Sequence, residues 1–289
     1  MENYIIILFN GFGSSKLWWE YKFDKKVDLI KLNFLDEIKK IGKTYTFNQP
    51  FFNTDYYITN ENKKNNEIWS KIYKKYKPHS SNINFKLEDL DYKNICEKVY
   101  NNVKNKYGPN KKYILIGHSY GGPIALLFSK LYYKDCVLCC LLDNPSYTME
   151  YFNKYNESDK KYILDKYPSN KELKNSIKLI KTSKNPKEKN KEINDISILV
   201  GVKSCEDRIK YYDPKLYVKT IFFKRLTKDK NKLDEDEKYF IKQNKKEKKL
   251  FEKDKNLINY IEFDNADHYI WNNQEYSNKI IQIIKSNIH

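Results

Sequence analysis

Several things are scarce in this chain of 289 residues, and each scarcity narrows what it can be. Long apolar runs are missing. The N-terminal run Asn3–Phe9 is about seven residues, against the roughly 20 that a membrane-crossing helix needs. It also feeds directly into a polar, glycine-containing turn, so neither a signal peptide nor a membrane span is expected there. Cysteine is limited to five residues, an odd number, at Cys96, Cys136, Cys139, Cys140 and Cys205. They sit mostly in apolar segments, where free cysteine behaves as a small hydrophobe. The run Cys136-x-x-Cys139-Cys140 has no second Cys or His cluster to complete a metal site, so no metal is expected. A reducing compartment, the cytosol, is the simplest location. Glycine is also sparse, with 8 residues, and lysine, asparagine, isoleucine and tyrosine are abundant along the whole chain. That evenness marks a compositional bias and not a feature of single elements.

Acidic residues are outnumbered, 38 against 55 basic, which leaves a net charge of +17 and a pI near 9.3. Such a balance attracts polyanions. A nucleic-acid reader, however, gathers its charge into a patch beside aromatic or groove-fitting elements. Here lysines are spread over nearly every exposed segment, so nucleic acid is not an expected partner. An anionic membrane surface has only the net charge in its favour. The densest run, Lys224–Lys255, holds 13 basic and 8 acidic residues; mixed signs at that spacing read as a solvated helix. Disorder is excluded by 40% hydrophobic and 16% aromatic content. The length suits one domain with insertions, and there are no internal repeats.

The richest stretch is Tyr113–Tyr133, YILIGHSYGGPIALLFSKLYY. It reads as a short apolar strand, a serine flanked by glycines, and an amphipathic helix with Ile124, Leu127, Phe128 and Leu131 at helical spacing. Pro123 falls in the helix's first turn, where its missing N–H costs little. Gly117 and Gly121 lack side chains that would collide around a tight turn. A serine hydroxyl is a poor nucleophile and needs such exposure, with a base in reach, to react.

These residues resemble the nucleophile elbow of the α/β-hydrolase superfamily, Gly-x-Ser-x-Gly between strand and helix, with Ser119 at the nucleophile position. The resemblance implies an upstream oxyanion turn. Strand Asn3–Phe9 followed by Asn10-Gly11-Phe12-Gly13 and Trp18-Trp19 is similar to the family's His-Gly-x-Gly turn, with Asn10 where His is usual. By position, the oxyanion donors would be the backbone N–H groups of Phe12 and Tyr120.

It also implies a histidine base and a carboxylate, in the order Ser, acid, His. The chain has four histidines. His118 lies within the elbow, His79 in a polar loop and His289 at the last position. His268 follows the strand-like Leu257–Phe263 and precedes the apolar helix Tyr276–Ile288, which is where the superfamily puts its base. The acid usually follows the penultimate strand. The run Ile196–Val202 reads as a buried strand, and Asp207 beyond it is the first choice; Glu206 and Asp143, the latter ending strand Cys136–Leu142, are the alternatives.

The expected fold is therefore α/β, a mainly parallel sheet with helices on both faces. Residues 1–143 and 195–289 would form the core, with a charged helical insertion at about 224–256. Residues 144–194 would form a helical cap whose Tyr147, Met149, Tyr151, Phe152 and Tyr155 line a pocket or dock the cap. Further elements expected are a helix at Val27–Ile41, a short strand at Lys43–Phe47, a helix at Glu67–Lys77 and another at Asp91–Tyr107. The resemblance covers residues 3–20, 86–147, 195–208 and 257–288. It implies a serine hydrolase acting on an ester or related acyl bond of a small-molecule substrate, with no cofactor. An acyltransferase on the same residues, or a binding protein on the same scaffold, are the other readings.

Overall fold

The computed structural model describes residues 4–11, 16–24, 28–47, 85–160, 168–227 and 233–288. The expected helix at Glu67–Lys77, the turn residue Phe12 and the side chain of Tyr155 lie outside the described residues.

Alternation along the strands builds the fold. β1 (Tyr4–Phe9) turns Ile5, Ile7 and Phe9 to one face and Ile6 and Leu8 to the other, and all five are fully buried. A strand buried on both faces belongs inside a parallel sheet covered by helices on each side. β4 (Lys43–Phe47), β5 (Lys112–His118), β6 (Cys136–Leu142), β7 (Thr220–Leu226) and β8 (Leu257–Asp264) complete that sheet. Its order is β4-β1-β5-β6-β7-β8, with every pairing parallel. The intervening β2 (Tyr21–Asp24) and β3 (Asp28–Lys31) form a separate antiparallel hairpin. The helix expected from Val27 therefore begins only at Phe34, as α1 (Phe34–Ile41).

One face of the sheet is covered by α2 (Tyr92–Tyr107) and α3 (Gly121–Leu131), with Val99, Val103, Ile124 and Phe128 in the shared core. α1 and the C-terminal α8 (Gln274–Ser286) cover the other through Phe34, Ile38, Ile280 and Ile284. Cys136, Cys139 and Cys140 are buried free thiols in β6, and Cys96 and Cys205 are likewise buried and free.

Between β6 and β7 the chain runs through α4 (Met149–Lys160), α5 (Asn170–Thr182) and α6 (Pro186–Lys210). Here one expectation is corrected: Ile196–Val202 is not a strand but the middle of α6. Asn185 caps that helix by accepting from Lys187 N, and Pro186 opens it. Ile196, Leu199 and Val200 then pack with Leu173, Ile177 and Ile180 of α5 in a small core of their own. The penultimate strand is instead β7, TIFFKRL, and its Lys224 is fully buried although it begins the expected charged insertion. In that insertion the described helix is α7 (Glu235–Phe251). Glu247 of α7 forms a buried ion pair with Lys224 at 2.8 Å. Lys224 also donates to Asn144 O (2.8 Å), while Glu247 accepts from Tyr147 N and from Tyr260 Oη (2.9 Å). α7 is thus anchored to the sheet and not a free surface helix. No helix among the described residues is long and apolar enough to cross a membrane.

Candidate active site

β5 ends at His118, and the chain turns sharply into α3 with Ser119 at φ 51°, in the left-handed region that non-glycine residues rarely occupy. The glycines explain how the turn fits. A Cβ on Gly117 would lie 2.7 Å from Gly121 O, one on Gly121 would strike Phe9 O, and one on Gly122 would strike Asn144 Cβ. The elbow is therefore wedged between the carboxyl ends of β1 and β6. Ser119 N donates to Leu142 O at 3.0 Å, and Gly122 N to Ser119 O at 2.9 Å. α3 has no side-chain cap and no acidic residue in its first turn. The positive end of the helix dipole therefore faces the Ser119 turn without a carboxylate of its own first turn to offset it.

At the end of β6, Asp143 also adopts a positive φ, 41°, and its N–H donates to Phe223 O (2.7 Å). Its carboxylate is buried. Oδ2 accepts from His268 Nδ1 at 2.6 Å, and Arg225 Nε lies 3.2 Å from the same oxygen. Oδ1 accepts from Arg225 N at 3.2 Å. Because Nδ1 donates to Asp143, the tautomer of His268 that fits this contact leaves Nε2 with a lone pair. Ser119, Tyr120, Asp143 and His268 line one cavity of about 260 Å³. Tyr151 of α4 and Phe240 of α7 share its wall, as do Arg225 and the carboxylates Asp236 and Glu237 from the first turn of α7. Tyr147 and Phe152 point instead into the core beneath α4.

The carboxylate expected at Asp207 is elsewhere. Asp207 is fully buried on α6, where Oδ2 accepts from Tyr92 N (2.9 Å) at the first residue of α2 and Oδ1 lies 3.2 Å from Lys203 Nζ. It ties α6 to the start of α2. Burial pushes its carboxyl up to about 6, against the pull of Lys203. Glu206, on the same helix, lies 3.8 Å from Lys203 Nζ. The geometry brings Asp143, the other alternative, to His268. The misreading follows from the strand error: with Ile196–Val202 in a helix, no sheet edge delivers Asp207 to the site. The strand at that place, β7, carries Arg225 near its carboxyl end, and Arg225 reaches across to the carboxylate that follows β6.

Sequence reasoning also passed over the surroundings of His118. Its ring is buried against Trp271 (centroids 4.7 Å, edge to face), Tyr269 (4.9 Å) and His268 (4.6 Å). Its Nε2 donates to the backbone oxygen of His268 at 3.0 Å. Burial, and then the neighbouring His268, hold its pKa well below the ordinary imidazole value, so it stays neutral. The aromatic residues after the glycine turn belong to the same cluster. Trp18 stacks on Tyr269 (4.7 Å) and Trp19 on Trp271 (4.4 Å). Asn10, the residue that stands where His is usual, accepts from Trp19 Nε1.

A family model described as alpha/beta hydrolase fold matches residues 4–249. No curated protein matches the sequence. Among solved structures, MenH from S. aureus superposes with a TM-score of 0.53 at 14% identity, over 100% of this chain and 96% of that one. A structure reported with the carboxylesterases of the thaumarchaeon Nitrososphaera gargenis gives 0.51 at 10% identity, over 98% and 90% of the two chains. A probable hydrolytic enzyme from Pseudomonas aeruginosa PAO1 gives 0.51 at 10% identity, over 99% and 85%. At these identities the likeness to the solved structures is one of fold.

Proposed function

Because this chain belongs to the α/β-hydrolase family, we propose that it is a serine hydrolase that cleaves a carboxylic ester or a related acyl bond through an acyl-enzyme. The observation that carries this reading is the Asp143–His268 pair, at 2.6 Å, on the wall of the cavity that Ser119 lines from its left-handed turn. Ser119, Asp143 and His268, distant in sequence, line one cavity at the carboxyl end of the parallel sheet, the end at which ligands bind in open α/β folds, and this supports the roles of nucleophile, carboxylate and base.

In this mechanism Ser119 Oγ attacks the acyl carbon while its proton passes to His268 Nε2. Asp143 holds the Nδ1–H tautomer and stabilises the imidazolium without itself taking the proton. The oxyanion meets Tyr120 N–H at the start of α3 and Phe12 N–H from the glycine turn. Each such donor contributes about a hundred- to a thousandfold in rate. The C–O or C–S bond then breaks, and His268 returns its proton to the leaving group. Water attacks the acyl-enzyme, gives its proton to His268, and the acid is released with Ser119 restored. Tyr151 of α4 and Phe240 of α7 supply the aromatic wall against which the substrate would lie. No step requires a cofactor.

A fluorophosphonate probe read by intact mass tests the proposal. One adduct per chain is expected on the native protein, none on Ser119→Ala, and slowed labelling on His268→Ala. A panel of short oxygen esters and thioesters, with and without an added alcohol acceptor, then separates hydrolysis from acyl transfer. Absence of any adduct, under conditions that label a control hydrolase, overturns the reading.

A further inference from the structure

The aromatic cluster beside the site does more than fill space. Trp18 on Tyr269 and Trp19 on Trp271 are two face-to-face stacks between the segment after the glycine turn and the loop that carries His268. Trp271 Nε1 donates to Trp18 O at 3.0 Å and closes the pairing. These contacts hold residues 269 and 271, but not His268 itself. The backbone oxygen of His268 accepts instead from His118, the residue immediately before Ser119. On the other side of the same ring, Gly11 of the glycine turn packs so closely that a Cβ there would lie 2.9 Å from His118 Nδ1. One imidazole thus touches the turn, the elbow and the base loop.

We infer that His118 is a positioning residue: its Nε2–H, pinned between Gly11 and the Trp19–Trp271 stack, sets the place of the His268 loop relative to Ser119. The inference rests on the serine-hydrolase reading above.

The residue type is specific to this task. The position needs a flat group that fits edge-on against Trp271 and donates one hydrogen bond about 3 Å to a carbonyl. It must also remain uncharged, because a cation 4.6 Å from the His268 ring would oppose the imidazolium formed during catalysis. A neutral imidazole supplies one N–H and one lone pair. Facing a carbonyl, the N–H is on Nε2 and the lone pair on Nδ1, against Gly11. A misplacement of a reacting group by about 1 Å costs on the order of a hundredfold in rate, so loss of the one hydrogen bond from the elbow to the His268 backbone has a measurable effect.

Three variants test it. His118→Phe keeps the ring and removes the donor; His118→Gln keeps a neutral donor of similar reach; His118→Asn keeps the amide but falls short of the His268 carbonyl. Rates of fluorophosphonate labelling and ester turnover are measured together with the downfield proton resonance of the His268–Asp143 hydrogen bond. We expect the Phe and Asn variants to lose about 30- to 100-fold in kcat with KM within about twofold, and to broaden or lose that resonance. Gln should return to within about fivefold of wild type. If Phe does not fold, the Gln and Asn pair carries the test. Wild-type turnover and an intact resonance in Phe or Asn overturn the inference, as does equal impairment of all three variants with the resonance unchanged. If the wild-type serine does not react at all, the serine-hydrolase reading fails instead. The tether is then judged by the resonance and by the 15N tautomer signal of His118, which must show the proton on Nε2.

Discussion

Two buried aspartates, one at the end of β6 and one on α6, show how differently the same side chain is used in this molecule. Asp143 and Asp207 both accept a backbone N–H and both lie near a cation, Arg225 and Lys203 respectively. In burial, and in having a backbone N–H and a cation beside them, they are alike. The difference is the element that carries them. Asp143 leaves a central strand at the sheet's carboxyl end, in a backbone conformation that turns it toward the His268 loop. Asp207 projects from a helix onto the N-terminus of α2, where a carboxylate satisfies an otherwise open N–H and the helix dipole. Burial and a partner make a carboxylate structural. Delivery to His268, on the cavity that Ser119 also lines, is what suits Asp143 to the proposed chemistry.

The sharpest way to break this comparison is to neutralise each aspartate in turn. Asp143→Asn should lower kcat/KM by on the order of 10⁴, since the amide no longer enforces the Nδ1–H tautomer. Asp207→Asn should leave ester turnover within about twofold of wild type. Steady-state kinetics on both decide it, and a reversed pattern would return the acid to α6.

A smaller effect is expected where α7 meets the sheet. Glu247→Gln leaves Lys224 charged and fully buried without its partner, which should cost about 3–5 kcal/mol of stability. Urea denaturation gives the difference. A change below about 1 kcal/mol would mean that α7 is held by its aromatic contacts and not by the ion pair.

The smallest effect comes from Asp207 in its structural role. Its carboxyl is raised by burial from 3.8 to about 6, so the folded protein binds this proton more tightly than the unfolded chain does. The favourable contribution of the protonated form is complete below about pH 4 and is lost as pH rises to 6, leaving a cost above that. Asp207→Asn, which resembles the protonated acid, should therefore stabilise the protein by up to ~3 kcal/mol above pH 6, a gain that fades toward pH 4. Melting temperatures of both proteins from pH 4 to 8 check the sign. A variant that is less stable at pH 8 would show that the Lys203 pair outweighs the burial cost.

What was legible in the sequence follows the range of the interactions involved. β4, β6 and the β5–elbow–α3 unit read correctly because their bounds depend on neighbours a few residues away: apolar alternation, turn glycines and a proline in the first helical turn. α6 did not, because a seven-residue apolar run has the same pattern whether it is a strand buried on two faces or a helix packed between others. Its cap at Asn185 and its continuation to Lys210 were the available signals. β7 was missed for the opposite reason. Lys224 and Arg225 look like solvated charges, and only Glu247 and Asp143, brought from other elements, make the burial of Lys224 and the half-burial of Arg225 tolerable.

By itself the sequence determined the doubly covered sheet and the turn on which Ser119 stands, since strand period, glycine size and helix start are local properties of consecutive residues. Tertiary structure alone decided which carboxylate meets His268, 125 residues from Asp143, and what His118 does for a loop 150 residues away. Those pairings depend on which strand ends lie side by side in the folded sheet, and side chains far apart in the chain acquire a common environment only when the core has closed.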